Sequence, residues 1–286
     1  MTHSTHADPS LQGEVVVLTG AGRGLGRAFA TAIAEAGAKL LINDIDLDVA
    51  QETAHALCAS GADAIADGHD VSDPAQAQAM IAAAALGPVR ALVNNAAIHH
   101  RAALWEETPQ RAQALLRVNL LGAINCAIAI VPLLRVRRAG AILNVTSSSA
   151  LGLPDRGTYA ATKAALLSLT YSWALELAGD GVRVNALAPR ARTRLTDATP
   201  GPIGSVEDVA PVARYLVSDQ SWPLTGQCVR ADGLELGWLL PGRHGPLVRR
   251  DGDDSDAVTR AVVALPSPPS IGFHGVVPEL AYPSGL

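Results

Sequence analysis

The chain has 286 residues, 49% of them hydrophobic, and a formal net charge of −5, so it is long enough for one large α/β domain plus an appendage and carries no basic footprint for nucleic acid. Cys58, Cys126 and Cys228 are too widely spaced to suggest a disulfide framework or a metal site, and the eight histidines form no metal set. No apolar run reaches the ~20 residues a membrane span needs, and the start, MTHSTHADPS, lacks the apolar core of a signal peptide, so a cytoplasmic protein with no membrane partner is expected.

Residues 1–12 read as a mobile tail. Glu14–Leu18 then reads as a buried parallel strand, a short β-branched run bounded by Gly13 and Gly20. It leads into Thr19-Gly20-Ala21-Gly22-Arg23-Gly24-Leu25-Gly26 and an Ala-rich periodic stretch that ends at Gly37. Strand, glycine turn and helix is the order in which backbone N–H groups and a helix N-terminus can meet a pyrophosphate. The spacing is G-x-x-x-G-x-G, and alone it is weak, because tight strand–helix turns need glycine anyway. The next strand, Lys39–Asn43, ends at Asp44. An acidic side chain there can accept hydrogen bonds from an adenosine ribose 2′-OH and repel a 2′-phosphate. Arg23 argues the other way, as a cation able to pair with that phosphate. The carboxylate weighs more because it would lie at the 2′ position itself, so NAD is expected and NADP is the alternative. The bland reading of Asp44 is a strand-end turn residue, as for Asp46 and Asp48.

Farther along, Tyr159 and Lys163 stand four apart in TYAATKAAL, downstream of the run Ser147-Ser148-Ser149. Residues i and i+4 share a helix face. An ammonium beside a phenol favours phenolate, so the tyrosine pKa is expected to fall from about 10 toward neutrality. Such a tyrosine can exchange a proton with an alcohol or ketone. Alone, this pair reads as an interface tyrosine beside a solvated lysine.

Taken together, residues 13–233 resemble the short-chain dehydrogenase/reductase family. The matches are TGAGRGLG (Thr19–Gly26), Asp44, Asp70-Val71, NNAA (Asn94–Ala97), Asn119 in VNLLG, Ser147 in NVTSS, Tyr159 with Lys163, and NALAP (Asn185–Pro189). The resemblance implies Tyr159 as acid/base, Ser147 (or Ser148) bonded to the reacting oxygen, and Lys163 on the nicotinamide ribose. It implies Asn119 holding a water of a proton relay. Gly20, Arg23, Gly24, Leu25 and Gly26 would receive the pyrophosphate side of the cofactor, with Asp70 and Val71 at the adenine. Asn95, Ala96 and Ala97 would border the nicotinamide ribose, and Thr193, after Pro189, would meet the carboxamide. Bland readings also exist: a helix-interior amide for Asn119, a strand-end cap for Ser147 and a turn residue for Asp70.

The chain departs from the family at three places. Ala97 replaces a glycine, Pro189-Arg190 replaces proline-glycine, and only Thr196–Gly204 stands where relatives carry a longer substrate lid. Lids exclude water and shape the pocket. The extension 241–286 holds seven of the eighteen prolines, with a helical candidate at 257–265 and an extended run from Pro266. It is expected to pack near the lid on its own or a neighbouring subunit. His99-His100-Arg101 follow NNAA and read either as solvated loop residues or as a border of the substrate. Arg190, Arg192 and Arg194 read as surface charge or as a receiver for an anionic substrate.

The helix carrying Tyr159 is apolar nearly all round, which implies a buried helix with a second subunit on one face, hence a homodimer or homotetramer. The expected fold is α/β: a doubly wound parallel-sheet Rossmann domain over 13–240 of about seven strands, with the Pro-rich extension. The expected reaction is hydride transfer between a nicotinamide cofactor and a secondary alcohol or ketone. The alternatives are an NADPH-dependent ketoreductase of acyl or polyketide-like substrates, a non-catalytic dinucleotide-binding scaffold, and an epimerase or dehydratase using bound NAD.

Overall fold

The computed structural model describes residues 10–84, 86–193, 203–240 and 242. The extension beyond 242, its helical candidate, most of the shortened lid with Arg194, and residues 1–9 lie outside the described residues.

Short β-branched and leucine-rich runs form the sheet: β1 (Val15–Leu18), β2 (Lys39–Asn43), β3 (Ala64–Asp67), β4 (Val89–Asn94), β5 (Gly140–Val145), β6 (Val182–Arg190), β7 (Cys228–Asp232) and β8 (Glu235–Trp238). Their order is β3-β2-β1-β4-β5-β6-β7-β8. β1 to β7 pair in parallel, in registers such as Val16↔Leu40 and Leu143↔Asn185. Strands covered on both faces have no alternating polar side, and every residue of β1 and β5 is buried. The first strand begins one residue later than the sequence suggests: the Glu14 N–H turns back to the Leu11 carbonyl, and its carboxylate pairs with Arg137.

The expected count of about seven strands is exceeded by β8, which runs antiparallel to β7 through the two-residue loop Gly233-Leu234, with Gly233 at φ +57°. All four β8 residues are exposed, so this edge strand carries no burial pattern that a sequence could reveal.

Helices cover both faces. On one side α1 (Gly24–Ala34), α2 (Leu47–Ala59) and α7 (Val206–Val217) enclose a core with Phe29, Ile33, Leu40, Leu57 and Leu216. On the other, α3 (Pro74–Ala83), α5 (Gly122–Arg137) and α6 (Gly157–Leu177) bury Met80, Cys126, Ile130 and Leu134. A short α4 (Pro109–Leu115) joins α5 through a π-helical turn, Leu116–Leu121. The stretch Pro109–Arg137 is thereby one helix long and apolar enough to cross a membrane by length and composition, although its uncharged run, Val118–Leu134, stays short of the ~20 residues of a span. Here α5 instead packs against β4, β5 and α3.

Crossing from β1 into α1 and from β4 into its loop on opposite sides of the sheet opens a crevice at the strands' carboxyl ends. Ligands bind there in doubly wound sheets.

Candidate active site

The crevice begins at the glycine turn. Gly20 has φ +60°, a conformation L side chains rarely adopt, and a Cβ there would lie 2.7 Å from Ala96 Cα. The turn is therefore pressed onto the NNAA segment. Asn95 fixes that contact: its amide donates to the carbonyls of Thr19 (3.0 Å) and Gly20 (2.8 Å), and the backbone N–H groups of Asn95 and Ala96 both donate to Thr19 Oγ1. A Cβ on Gly22 would meet Val49 Cγ2 at 2.6 Å and Asp44 Oδ2 at 2.9 Å, so the turn also seats against the end of β2. Gly24, at φ +55°, is different: a Cβ would find nothing within 4 Å, because it faces open space.

Asp44 follows β2 and is buried. Its Oδ2 accepts from the Gly22 N–H and its Oδ1 from the Asp46 N–H, each at 3.2 Å. Arg23 reaches past it to Asp46 Oδ2 at 2.8 Å. The carboxylate is thus held at the strand end, and the competing cation is occupied elsewhere.

A groove of about 800 Å³ runs over these residues, lined by Gly20, Arg23, Gly24, Leu25, Gly26, Asp44, Asp70, Val71, Asn95, Ala96, Ala97 and Thr193, and also by Asn43, Ile45, His69, Ile98 and Val118. Every expected cofactor residue on the first half of the chain lines it. At its far end Asp70 Oδ1 accepts from the Ser72 N–H, and Asn125 holds the Val71 carbonyl, which fixes the backbone under the groove. His69, which sequence reasoning passed over, bonds through Nδ1 to the buried Asp67 at 2.7 Å, and Asp67 also accepts from Asn43. The groove's volume, its open Gly24 shoulder and the strand-end carboxylate fit a dinucleotide.

The second half contributes less uniformly. β6 runs straight through Pro189-Arg190 rather than breaking there: Pro189 pairs in register with Ala231 and is absent from the groove lining. Thr193 reaches the groove nonetheless. Arg190 is spent on Asp232, at 3.0 and 3.1 Å. The feet of the lid close on each other, since the Arg192 N–H donates to the Gly204 carbonyl at 2.8 Å.

The reactive residues converge from β5, the π-helical turn and α6. Ser147 lies two residues past β5 as the cap of a 3-10 turn and is the serine whose hydroxyl bonds Tyr159; Ser148 Oγ is buried without a partner among the described residues. Lys163 is buried, its Nζ donates to the Val145 carbonyl at 2.7 Å, and it lies 5.8 Å from the Tyr159 ring centroid. Burial alone lowers its pKa to about 8.

Burial also raises the Tyr159 pKa above 10, against opposing pulls from the Ser147 hydrogen bond and the Arg156 charge. This reverses the expected direction. The phenol sits in a desolvated corner, and the ammonium that should favour phenolate is bonded to a backbone carbonyl instead. Asn119 is buried in the π-helical turn, where its Oδ1 accepts from the Ile98 N–H (2.8 Å) and its Nδ2 donates to the Ile98 carbonyl (2.9 Å) and to Thr162 (3.3 Å). Its side chain clamps the loop after β4 onto α6, and π-helical turns of this kind recur at functional sites.

Sequence reasoning left His99 open and missed Arg156. The His99 ring packs edge-on against Tyr159, with centroids 4.7 Å apart at 90°. Burial and the nearby Arg156 lower its pKa to about 4. His100 is not a solvated loop residue either: it bonds both Glu107 oxygens at 3.0 Å, and Glu107 accepts from Thr158, the neighbour of Tyr159.

A parallel sheet with a dinucleotide-sized crevice and a tyrosine–lysine–serine corner defines an oxidoreductase of the Rossmann class. The chain belongs to the short-chain dehydrogenase/reductase family, whose short chain dehydrogenase profile matches residues 14–199. It is 34% identical over 244 residues to a 3-oxoacyl-[acyl-carrier-protein] reductase of Thermotoga maritima, covering 78% of this chain and 98% of that one. Among solved structures, a short chain dehydrogenase from Mycobacterium avium superposes with a TM-score of 0.82 at 30% identity, over 91% of this chain and 98% of the other. A gluconate 5-dehydrogenase from Burkholderia cenocepacia, solved with NADP and tartrate, superposes with a TM-score of 0.74 at 34% identity, over 81% and 98%. The protein is accordingly an oxidoreductase acting on CH–OH or C=O groups with a nicotinamide cofactor.

Proposed function

We propose that the protein is an NAD-preferring dehydrogenase of secondary alcohols, working reversibly with the corresponding ketones. The observation that carries the reading is the Ser147–Tyr159–Lys163 corner, tied to the groove by Asn119, which bonds both Thr162 on α6 and the groove-lining Ile98. The nicotinamide would supply the hydride acceptor and donor there. Tyr159 takes the hydroxyl proton as the carbon–hydrogen bond gives up its hydride, and returns that proton in the reverse direction. Ser147 orients the reacting oxygen toward the phenol. Lys163, fixed by the Val145 carbonyl beside the Tyr159 ring, holds the ribose edge of the cofactor. Asn119 fixes the Ile98 backbone that borders the cofactor groove, and its place in a proton relay is part of the same proposal.

Asp44 supports NAD: its carboxylate stands at the strand end, while Arg23 is paired to Asp46. The exposed apolar residues Ile128, Leu133 and Val136 on α5 and Leu175 on α6 support a homodimer or homotetramer. A cytoplasmic site of action follows from the reading that a soluble nicotinamide pool is the co-substrate. The test is stoichiometry: a panel of secondary alcohols supplied with NAD should give one NADH per ketone formed. Product without net NADH would indicate an epimerase or dehydratase instead.

A further inference from the structure

The substrate side of Tyr159 holds a charge that the proposed reaction does not use. Arg156 caps α6 three residues before Tyr159, and its side chain is only 15% exposed. Its Nε is buried with no hydrogen-bond partner among the described residues, and the nearest carboxylate oxygen, Asp155 Oδ1, is 4.0 Å away. Asp155 is committed to Arg101, which grips Oδ2 at 2.7 and 3.0 Å. Two guanidinium groups therefore face one carboxylate, and only Arg101 holds it at hydrogen-bonding distance.

His99 completes the corner. Its ring rests edge-on against Tyr159, and its Nε2 is buried and unpartnered. The ring is neutral at pH 7 and adds no charge. Glu107, the other carboxylate nearby, is already engaged by His100 and Thr158. The Ala102–Arg156 bridge and the bond from the Ala102 N–H to the Asp155 carbonyl bring the loop that carries His99 against the start of α6, so Arg156, Tyr159 and His99 belong to one microenvironment. Leaving the buried Arg156 Nε without an acceptor is costly, because buried polar atoms are normally satisfied. A ligand that brings the missing acceptors removes that cost.

We propose that Arg156 and His99 form an anion subsite beside Tyr159, and that the substrate is a hydroxy acid, or the matching oxo acid, whose carboxylate binds there while its alcohol or ketone oxygen meets Tyr159 and Ser147. A carboxylate is favoured over a phosphate because the planar guanidinium matches a planar two-oxygen acceptor. His99, with its ring proton on Nε2, donates to one oxygen of the anion. This deepens the dehydrogenase reading and rests on it for the reacting oxygen.

The experiment uses the full chain saturated with NADH and titrated calorimetrically with 2-, 3- and 4-oxo acids of four to six carbons and with their methyl esters. At least one acid is expected to bind about tenfold or more tightly than its ester, the range of a hydrogen bond to a charged group. In Arg156→Gln the acid-to-ester ratio is expected to fall to within about twofold of one, with Arg156→Lys between the two and His99→Phe, which keeps the ring packing, reducing the ratio less than Arg156→Gln. NADH binding by each variant reports that it is folded. Esters binding as well as acids, or an acid preference that survives Arg156→Gln, overturns the subsite. Turnover of neutral ketones without acid preference overturns the subsite and leaves the dehydrogenase reading standing. Acid preference without any turnover supports the subsite and counts against that reading.

Discussion

Asp44→Asn removes the charge at the end of β2 and keeps the residue's shape. The amide oxygen can still accept from the Gly22 N–H, which Asp44 Oδ2 holds at 3.2 Å, so the glycine turn keeps its support. What is lost is one negative charge on a buried group and the acceptor for the Asp46 N–H, since the amide NH2 only donates. A 2′-phosphate brought to about 4 Å from that charge is repelled by about 1 kcal/mol if screened as in bulk water, and by about 4 kcal/mol at an effective dielectric of about 20. The Kd ratio of NADPH to NADH is therefore expected to fall by about fivefold to a thousandfold on substitution. Arg23 supplies a control. Its pair with Asp46 is 2.8 Å long, but the two side chains are 40% and 45% exposed, so breaking it costs less than about 1 kcal/mol. Asp46→Ala should free the guanidinium and tighten NADPH by less than Asp44→Asn does. The assay is parallel fluorescence titration with NADH and NADPH, which needs no substrate. An unchanged ratio in Asp44→Asn would refute the assignment of Asp44 as selector.

Other consequences follow from burial and packing. Lys163 has a folded pKa of about 8 against an ordinary 10.5, so between those values the unfolded chain binds more protons and this residue's contribution to stability rises with pH. Lys163→Met, which lacks the proton, should therefore lose ground to the parent protein by most of about 3 kcal/mol between pH 8 and 10 in urea unfolding; a pH-independent difference contradicts the assignment. Asn119→Ala strands the Ile98 N–H and carbonyl and should cost about 2 kcal/mol or more, read as a lowered urea midpoint; a loss below about 0.5 kcal/mol would mean the clamp is idle. Leu175→Glu places a charge on a residue 82% exposed in the single chain. It should shift the sedimentation coefficient toward the monomer without lowering the melting temperature of the fold, whereas an unchanged coefficient removes Leu175 from any subunit contact.

The parallel sheet could be read from the sequence because its strands are continuous apolar runs, and the glycine turn because Gly20 and Gly24 take backbone angles that other residues resist. Spacing put Tyr159 and Lys163 together on α6, while Ser147 and Asn119 came from the family resemblance. Their electrostatics were not legible. Whether an ammonium lowers a phenol's pKa depends on where both are buried and what else they bond, and Lys163 chose the Val145 carbonyl. β8 was missed because a fully exposed edge strand has no hydrophobic period. His99 and Arg156 are distant in sequence and meet only because β4 and α6 bring their loops together, joined by the Ala102 N–H to Asp155 carbonyl bond. Arg190 shows the converse: a cation that looked available in sequence is consumed by Asp232, across the sheet.

The central claim is that Tyr159 moves the proton of a hydride-transfer reaction. Tyr159→Phe keeps the ring against His99 and removes only the hydroxyl, so NADH titration and turnover should be measured on the same preparation. The expected result is NADH affinity within about threefold of the parent with turnover reduced by about 10²-fold or more, the scale of a lost general acid–base. Turnover within tenfold of the parent, with cofactor binding intact, would contradict the role of Tyr159 and the mechanism built on it.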